Sequence, residues 1–238
     1  MVYDASRKRE IEIIVKKISD SGRKIALPDE SLDIVKLSGI DVPSQVLVKS
    51  PGEAVKKSAE IGFPLVMKIA SAEAIHKSEA GGVVLGIQSV QEVEEQYSKI
   101  TSDFKGEIPD AKISGVLLQK QIPDAAHLIV GGLHDEQFGP VVMFGMGGVL
   151  VELFKDVSFR IAPVTELESL EMIREIKAYP ALSGYRGSKA LDIEQIAKSI
   201  IIISDLITNI STIKEVELSP LLAYEKNVMA VDAKVILR

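Results

Sequence analysis

The spacing of apolar residues predicts alternating helices and strands in the first half of the chain. Ile11, Ile14, Val15 and Ile18 recur at helical spacing and predict a helix over residues 7–19. The other elements expected before residue 120 are a helix through Leu37 with Asp29 or Glu30 as N-cap, strands over 45–48, 65–69, 83–87 and 115–119, and helices from residue 51 and over 90–104. Short strands separated by helices are typical of an α+β protein.

Beyond residue 118 the pattern changes to closely spaced strands. They are expected over 128–132, 141–145 and 149–153, with short closing strands over 216–218 and 228–231. Because short connections join neighbouring strands, we expect an antiparallel sheet here. Two helices are also expected, over 165–177 and over 188–209, the second with Ser188 or Asp192 as its N-cap.

These two patterns divide the chain into two lobes of mixed helix and strand. The predicted parts are an N-terminal helical arm over 1–26, a small lobe over 27–118 and a large lobe over 119–238. We expect a cleft of nucleotide size between the two lobes.

Composition excludes several classes of protein. The 238 residues are 46% hydrophobic and 26% charged, the net charge is −6, and only 5% of residues are aromatic. A nucleic-acid surface would need a basic patch and aromatic platforms, so none is expected. With no cysteine, disulfides and thiolate metal sites are excluded. The start of the chain lacks a signal-peptide pattern, and no apolar run approaches the roughly 20 residues that span a bilayer, so a cytoplasmic protein is expected.

The segment from Lys68 to Val83 has the residue types that bind and transfer a phosphoryl group. Lys68 stands near the end of an apolar strand, His76 and Lys77 follow in a polar loop, and Gly81 and Gly82 precede the next strand. An ammonium, a nucleophilic imidazole and bare backbone amides are suited to a phosphate. A solvated lysine at a strand end and an ordinary surface histidine would produce the same pattern.

Three further groups are candidates for the same chemistry. A glycine cluster spans residues 145–148, and Arg160 follows it with a guanidinium that can spread the charge of a triphosphate. Glu217 and Ser219 share one face of a predicted strand, and Asp232 comes about one hairpin later. Carboxylates on adjacent strands form the half-open oxygen site that Mg²⁺ accepts while it keeps phosphate ligands. A plain turn and ordinary surface carboxylates remain the alternatives.

Nine segments occur in an order that resembles one known family. They are Leu65–Ile69, Ile75–Ser78, Gly81–Val83, Phe138–Pro140, Phe144–Gly148, Lys155–Arg160, Ala162–Pro163, Gly184–Gly187 and Glu217–Leu221. The order resembles the β subunit of ADP-forming acetyl-CoA synthetases, which are ATP-grasp proteins related to succinyl-CoA synthetase. The resemblance covers the chain from about residue 27 to its end.

The resemblance implies an ATP-grasp fold and a role for each candidate residue. The implied nucleotide ligands are Lys68, Gln119, Lys120, Gln121, Ile122, His127, Gly147 and Gly148, with 119–122 as a hinge against adenine. The implied magnesium ligands are Glu217, Ser219 and Asp232. The implied catalytic residues are His76, as a phosphohistidine on a mobile loop, with Lys77 and Arg160. Two positions depart from the family pattern: His127 replaces a glutamate, and Ser219 replaces the asparagine of Glu-x-Asn-Pro.

The activity implied is reversible formation of ATP, free acid and CoA from acyl-CoA, phosphate and ADP. His76 would accept phosphate from an α subunit, which contains the CoA-binding domain and the acyl-CoA site, and pass it to ADP in the presence of Mg²⁺. An α2β2 heterotetramer is expected, with neither a membrane nor a nucleic acid as partner. Two other functions fit the residues: a nucleotide-sensing ATP-grasp module without turnover, and a stand-alone ATP-dependent carboxylate ligase.

Overall fold

A computed structural model of the chain describes residues 4–73, 81–148, 155–187 and 189–238. The helices are α1 (Ala5–Asp20), α2 (Pro28–Ser38), α3 (Pro51–Ile61), α4 (Val90–Glu107), α5 (Glu166–Glu175), α6 (Tyr179–Leu182) and α7 (Ile193–Asn209). The strands are β1 (Gln45–Val48), β2 (Leu65–Ala70), β3 (Val83–Ile87), β4 (Gly115–Lys120), β5 (Ala126–Asp135), β6 (Gly139–Met146), β7 (Val157–Ile161), β8 (Ile213–Ala223), β9 (Val228–Ala230) and β10 (Ala233–Leu237). Within these described ranges no helix is long and apolar enough to cross a membrane.

The chain divides into two compact units. The smaller unit contains Leu27–Glu30 and Pro43–Pro123, and the larger unit contains Met1–Ala26, Ser31–Val42 and Asp124–Arg238. The sequence predicted a separate arm over 1–26 and a lobe boundary at 118, whereas the structure groups the arm with the larger unit. The reason is pairing between distant parts of the chain: the Ala26 N–H donates to the Val235 carbonyl at 3.0 Å, and the Leu237 N–H donates to the Lys24 carbonyl at 2.7 Å.

The smaller unit is an antiparallel sheet with helices on one face. The strand order is β1-β4-β2-β3, and α3 and α4 pack on this sheet. Met67, Ile69, Leu118 and Phe104 lie in the core between sheet and helices. Because successive side chains of a strand point to opposite faces, the residues between these core positions lie on the face away from α3 and α4.

The larger unit is built on a six-stranded antiparallel sheet in the order β10-β8-β5-β6-β7, with β9 paired to β8. Helix α7 packs on β5, β6 and β8, and α5 packs on β6 and β7. At Gly132 of β5 an added Cβ would lie 3.1 Å from Ile203 and 3.2 Å from Ile207 of α7, so glycine lets the helix pack closer here than a larger residue would. Gly132 thus identifies the helix-covered face of the sheet.

Most predicted elements of the described chain are confirmed, and three were missed. The antiparallel pairing of residues 128–132 with 141–145 is present, and Asp192 is the N-cap of α7, with its carboxylate accepting the Gln195 N–H at 3.1 Å. β7, β10 and the short helix α6 were not predicted. The strand expected over 149–153 and the Ser188 cap lie outside the described residues.

Candidate functional site

Lys68 and Gln119 lie on the helix-free face of the smaller sheet. Lys68 is directly opposite Leu117 of β4, and Gln119 is opposite Val66 of β2, two residues before Lys68. Their side chains are therefore diagonal neighbours on one face. Both are buried: Lys68 is 6% exposed and Gln119 2%. A lysine is rarely buried unless its charge is paired. The burial of Lys68 is therefore consistent with its predicted role as a ligand of an anionic phosphate.

The same face contains an amide group without a partner. Gln45 of β1 is paired in register with Gln119, and both terminal atoms of its side chain are buried with no hydrogen-bond partner among the described residues. A buried, unsatisfied polar group destabilises a protein unless a water, an ion or a ligand satisfies it. This orphaned amide beside Gln119 and Lys68 is consistent with a face that accommodates a polar ligand.

The segment over 119–122 is split between the two faces of the sheet. Lys120 is opposite Leu65, a core residue, and its ammonium donates to the Phe63 carbonyl on the helix-covered side. The Gln121 side chain accepts the Gly86 N–H at 2.7 Å. The structure therefore brings Gln119 together with Lys68 but turns the Lys120 side chain away, and Ile122 is partly buried just before the boundary between the units.

Hydrogen bonds fix the described residues on either side of the segment 74–80, which contains His76. The Ile69 N–H donates to the Gly82 carbonyl at 2.9 Å, which continues the pairing of β2 with β3 beyond Val83. At the other end, the Ser71 hydroxyl donates to the Glu73 carboxylate at 2.6 Å, and this hydrogen bond lowers the pKa of Glu73. His76 and Lys77 lie outside the described residues, in the segment 74–80 that follows Glu73 in the chain.

The predicted magnesium ligands lie together in the larger unit. Glu217 is opposite Gly131 of β5, which faces away from α7, so Glu217 lies on the helix-free face. The Ser219 N–H of β8 donates to the carbonyl of Asp232, the residue just before β10, at 3.3 Å. The structure thus brings Glu217 and Ser219, in the middle of β8, close to Asp232, which directly precedes β10.

Lys234 neutralises part of this acidic group. It is opposite Glu217 in register and forms an ion pair with Glu215 at 2.6 Å. Burial opposes the charged form of Lys234, but the hydrogen bond to Glu215 and the charges of Glu217 and Glu215 outweigh it and raise the lysine's pKa. Sequence reasoning missed Lys234, although its position two residues after Asp232 at the start of a strand was a usable signal.

Two carboxylates are a fitting donor set for Mg²⁺ bound with a nucleotide. No group of three His, Cys, Asp or Glu side chains in the described ranges is arranged to hold a metal ion. Mg²⁺ in nucleotide sites usually takes one or two carboxylates and completes its shell with phosphates and water. Glu217 and Asp232 meet that requirement, with Ser219 as a weaker hydroxyl donor beside them.

His127 and the glycine cluster adjoin each other on the larger sheet. The Gly147 N–H donates to the His127 carbonyl at 2.8 Å, and a Cβ on Gly147 would lie 3.0 Å from the Leu128 carbonyl. Gly148 has φ of +69°, which favours glycine. The His127 ring donates from Nε2 to Asp124 at 2.7 Å, and this hydrogen bond lowers the pKa of Asp124. Sequence reasoning missed Asp124, three residues before His127.

Arg160 lies on the opposite face of the sheet from Glu217. Its neighbour two residues earlier, Ser158, donates to the Met172 carbonyl of α5 at 2.9 Å, so both side chains lie on the helix-covered face. The guanidinium binds the Glu175 carboxylate through both terminal nitrogens, and Glu171 lies 4.0 Å away. The hydrogen bonds to Glu175 raise the pKa of Arg160 despite some burial. The structure does not bring Arg160 together with the predicted magnesium ligands.

Comparison with known proteins places these residues in a family context. A family model described as an ATP-grasp domain matches residues 17–237. The β subunit of an ADP-forming acetate–CoA ligase I of Pyrococcus furiosus is 46% identical over 224 residues, which are 94% of this chain and 96% of that subunit. An ADP-forming acetate–CoA ligase I of Archaeoglobus fulgidus is 40% identical over 98% of this chain, but the match covers only 34% of that longer protein.

A solved structure shows a similar chain with a bound nucleotide analogue. It is an acetyl-coenzyme A synthetase of Ca. Korarchaeum cryptofilum in complex with coenzyme A and Mg-AMPPCP, with its phosphohistidine segment pointing towards the nucleotide binding site. The TM-score is 0.84 at 41% identity, and the match covers 96% of this chain and 100% of that one.

Proposed function

We infer from the membership of this chain in the ATP-grasp family, among the β subunits of ADP-forming acetate–CoA ligases, that it is the nucleotide-binding β subunit of an acid–CoA ligase of that type. The observation that supports this function best is the buried Lys68 beside Gln119, on the strand from which the His76 loop departs. A fixed cation next to a loop with a nucleophilic histidine suits phosphoryl transfer to a nucleotide.

Each of the two units has its own groups suited to a nucleotide bound with Mg²⁺. Lys68 binds phosphate oxygens from the smaller unit, where burial strengthens its electrostatic interaction with an anion. In the larger unit Glu217 and Asp232 hold Mg²⁺, which neutralises phosphate charge when the nucleotide is bound. His127, whose Nε2–H is donated to Asp124, keeps Nδ1 as an acceptor for a hydroxyl of the nucleotide.

His76 takes the phosphoryl group in two successive transfers. On the α subunit, phosphate displaces CoA from acyl-CoA, and a histidine of that subunit takes the phosphoryl group from the resulting acyl phosphate and releases the free acid. An imidazole nitrogen of His76 then attacks the phosphorus of that phosphohistidine, a new P–N bond forms, and the P–N bond to the α subunit's histidine breaks. The terminal β-phosphate oxygen of ADP then attacks the same phosphorus, which forms ATP and returns neutral imidazole. Splitting the reaction this way lets one carrier serve two sites.

The acyl-CoA half of the reaction belongs to a partner α subunit. The Archaeoglobus fulgidus relative contains about twice as much additional polypeptide as the part that matches this chain, since the match covers 34% of it. This chain has no Gly-x-Gly-x-x-Gly segment of its own for a dinucleotide-type CoA domain. We propose two α and two β chains per complex.

Labelling with [γ-³²P]ATP tests the proposal on the purified chain. In the presence of Mg²⁺ we expect a stable label that is lost in acid and resists base, as a phosphoramidate does. Peptide mapping separates the three histidines His76, His127 and His134, and the label is expected on the His76 peptide alone. The variant His76→Ala should remain unlabelled while its nucleotide affinity stays close to that of the unchanged chain.

Other outcomes would identify a different function. Nucleotide binding without any label contradicts the relay and favours a sensor module. Ligase turnover by this chain alone, without an α subunit, contradicts the division of labour between subunits.

A further inference from the structure

Five apolar residues are gathered at one corner of the larger sheet, four of them on its helix-free face and one in the adjoining turn. Leu133 of β5, Val141 of β6 and Ile161 of β7 are paired directly across the sheet, Phe159 lies in the next row, and Phe138 is in the turn between β5 and β6. Four of them are well exposed: Leu133 by 40%, Phe138 by 63%, Phe159 by 51% and Ile161 by 61%. We call these five residues the corner patch.

The corner patch is unusual because its members are contiguous. Single exposed apolar residues are normal on protein surfaces, whereas neighbouring ones in cross-strand contact mark interaction sites. It also adjoins β7, which pairs only with β6 among the described strands and is therefore an edge of the sheet. Edge strands are usually protected by charges or by a covering segment. Phe159 and Ile161 provide no such protection.

We propose that the corner patch is the docking surface for the α subunit. This inference rests on the function proposed above, which requires a partner chain. Relatives that match this chain over nearly their whole length are β subunits, and a fused relative has about two thirds of its length outside the match. A large polypeptide is therefore available to cover an apolar surface.

The position of the corner patch suits an exchange of phosphate between subunits. Phe159, Met143, Gly131 and Glu217 form one cross-strand row on the same face, so Phe159 is three strands from the predicted magnesium ligand. At the usual strand spacing this is roughly 14 Å. An α subunit seated on the corner patch would thus lie beside the nucleotide site of this unit.

Charges at the margin indicate the chemistry of the opposing surface. Asp135 ends β5 and Glu136 follows it in the turn before Phe138, and the Asp135 carboxylate already accepts the N–H groups of Phe138 and Gln137, which lower its pKa. Two carboxylates at the rim of an apolar centre match a partner surface with apolar side chains at its centre and Lys or Arg at its margin.

The test measures association of this chain with its α subunit, defined as the chain from the same organism that restores acyl-CoA-dependent ATP formation. The variant Ile161→Lys places an ammonium in the centre of the corner patch, at an edge-strand position that tolerates lysine in the free protein. By sedimentation velocity we expect its association to be weaker by roughly 30-fold or more. The matched control is Leu167→Lys on α5, where the leucine is 64% exposed and outside the corner patch; its association should be unchanged.

Each remaining outcome is informative. Equal association of Ile161→Lys and the unchanged chain overturns the proposal, and so does an equal loss in Leu167→Lys. Loss of a homodimer of this chain, with α binding intact, also overturns it. Autophosphorylation from ATP needs only this chain, so Ile161→Lys should keep the label; absence of label in the unchanged chain would refute the proposed function without affecting the association measurement.

Discussion

The residues predicted to bind the nucleotide and Mg²⁺ lie in contrasting environments on the two helix-free sheet faces of this protein. On the smaller sheet Lys68 and Gln119 are almost completely buried. On the larger sheet Glu217, Ser219 and Asp232 are partly exposed, and Lys234 lies directly opposite Glu217. One face presents a buried cation, and the other presents carboxylates whose charge is partly balanced within the sheet.

This difference indicates how each face contributes to binding. A buried ammonium interacts strongly with an anion because little water screens it. Exposed carboxylates interact weakly by themselves and become effective when a divalent cation joins them to phosphate. Substitutions on the smaller sheet should therefore weaken nucleotide binding directly, and those on the larger sheet should act through Mg²⁺.

The largest effect is expected for Lys68→Met. The substitution keeps an apolar stem of similar length and removes the charge, so affinity for ATP should fall by about 10- to 100-fold, the range for a charge-assisted hydrogen bond. Isothermal titration calorimetry of the β chain measures this directly. The melting temperature of the free variant, measured alongside, separates a loss of ligand binding from a loss of stability.

Lys120→Met is the matched control for this prediction. Its ammonium donates to the Phe63 carbonyl on the other face, so the variant should lose stability by about 1 kcal/mol and keep most of its affinity for ATP. If Lys68→Met and Lys120→Met lose affinity for ATP to a similar extent, ATP binding does not depend on the helix-free face in particular, and the prediction is wrong.

Glu217→Gln should have the next largest effect, on the dependence on Mg²⁺. Loss of one carboxylate ligand should raise the Mg²⁺ concentration for half-maximal autophosphorylation by roughly 10-fold, which corresponds to about 1.4 kcal/mol. Glu215→Gln removes the ion-pair partner of Lys234 one step along the same face. It should change Mg²⁺ dependence much less; equal shifts in the two variants would remove Glu217 from the magnesium site.

A smaller effect is expected at the Arg160–Glu175 pair. Because Arg160 lowers the pKa of Glu175 below its usual 4.5, the pair stabilises the fold above that pH and the contribution disappears as the pH falls through the lowered value. Glu175 is half exposed, so the contribution is only about 0.5 kcal/mol. Glu175→Gln should remove this acid-sensitive part of the stability in denaturation curves between pH 7 and pH 3.

The same pair tests the role predicted for Arg160. If the guanidinium serves mainly to attach β7 to α5, Arg160→Ala and Glu175→Gln should lower stability alike and leave ATP affinity unchanged. A loss of phosphoryl transfer in Arg160→Ala alone would support the role predicted from sequence.

The sequence was sufficient to predict strands and candidate site residues where a local pattern of residues determines the structure. The apolar run Leu65–Ile69 predicted the strand, and Lys68, its one charged position, was a candidate phosphate ligand; the structure adds that Lys68 lies on the face away from the core. The spacing of Glu217 and Ser219 likewise predicted a shared face, and Asp232 lies beside them.

The failures depended on long-range pairing. No local signal indicates that Lys120 lies on the helix-covered side, because its face is set by the register of β4 against β2. The pairing of β7 with β6 places the Arg160 side chain on the face that α5 covers. β7 was not predicted, because charged and apolar residues alternate in the segment around it. The attachment of the N-terminal arm to the larger unit depends on hydrogen bonds to β10, more than 200 residues away.

The smallest expected effect concerns Gln45, opposite Gln119 on the smaller sheet. Because both terminal atoms of its side chain are buried without a partner in the described structure, Gln45→Leu should stabilise the free chain by about 1 kcal/mol. Urea denaturation measures this change, and Gln91→Leu on the exposed surface of α4 is the control, with an expected change within about 0.5 kcal/mol. If ATP satisfies the amide of Gln45, the extra stability of Gln45→Leu should disappear at saturating ATP, because only the unchanged chain then gains the missing hydrogen bonds. A gain that persists at saturating ATP would place Gln45 outside the nucleotide site and limit the buried binding face to Lys68 and Gln119.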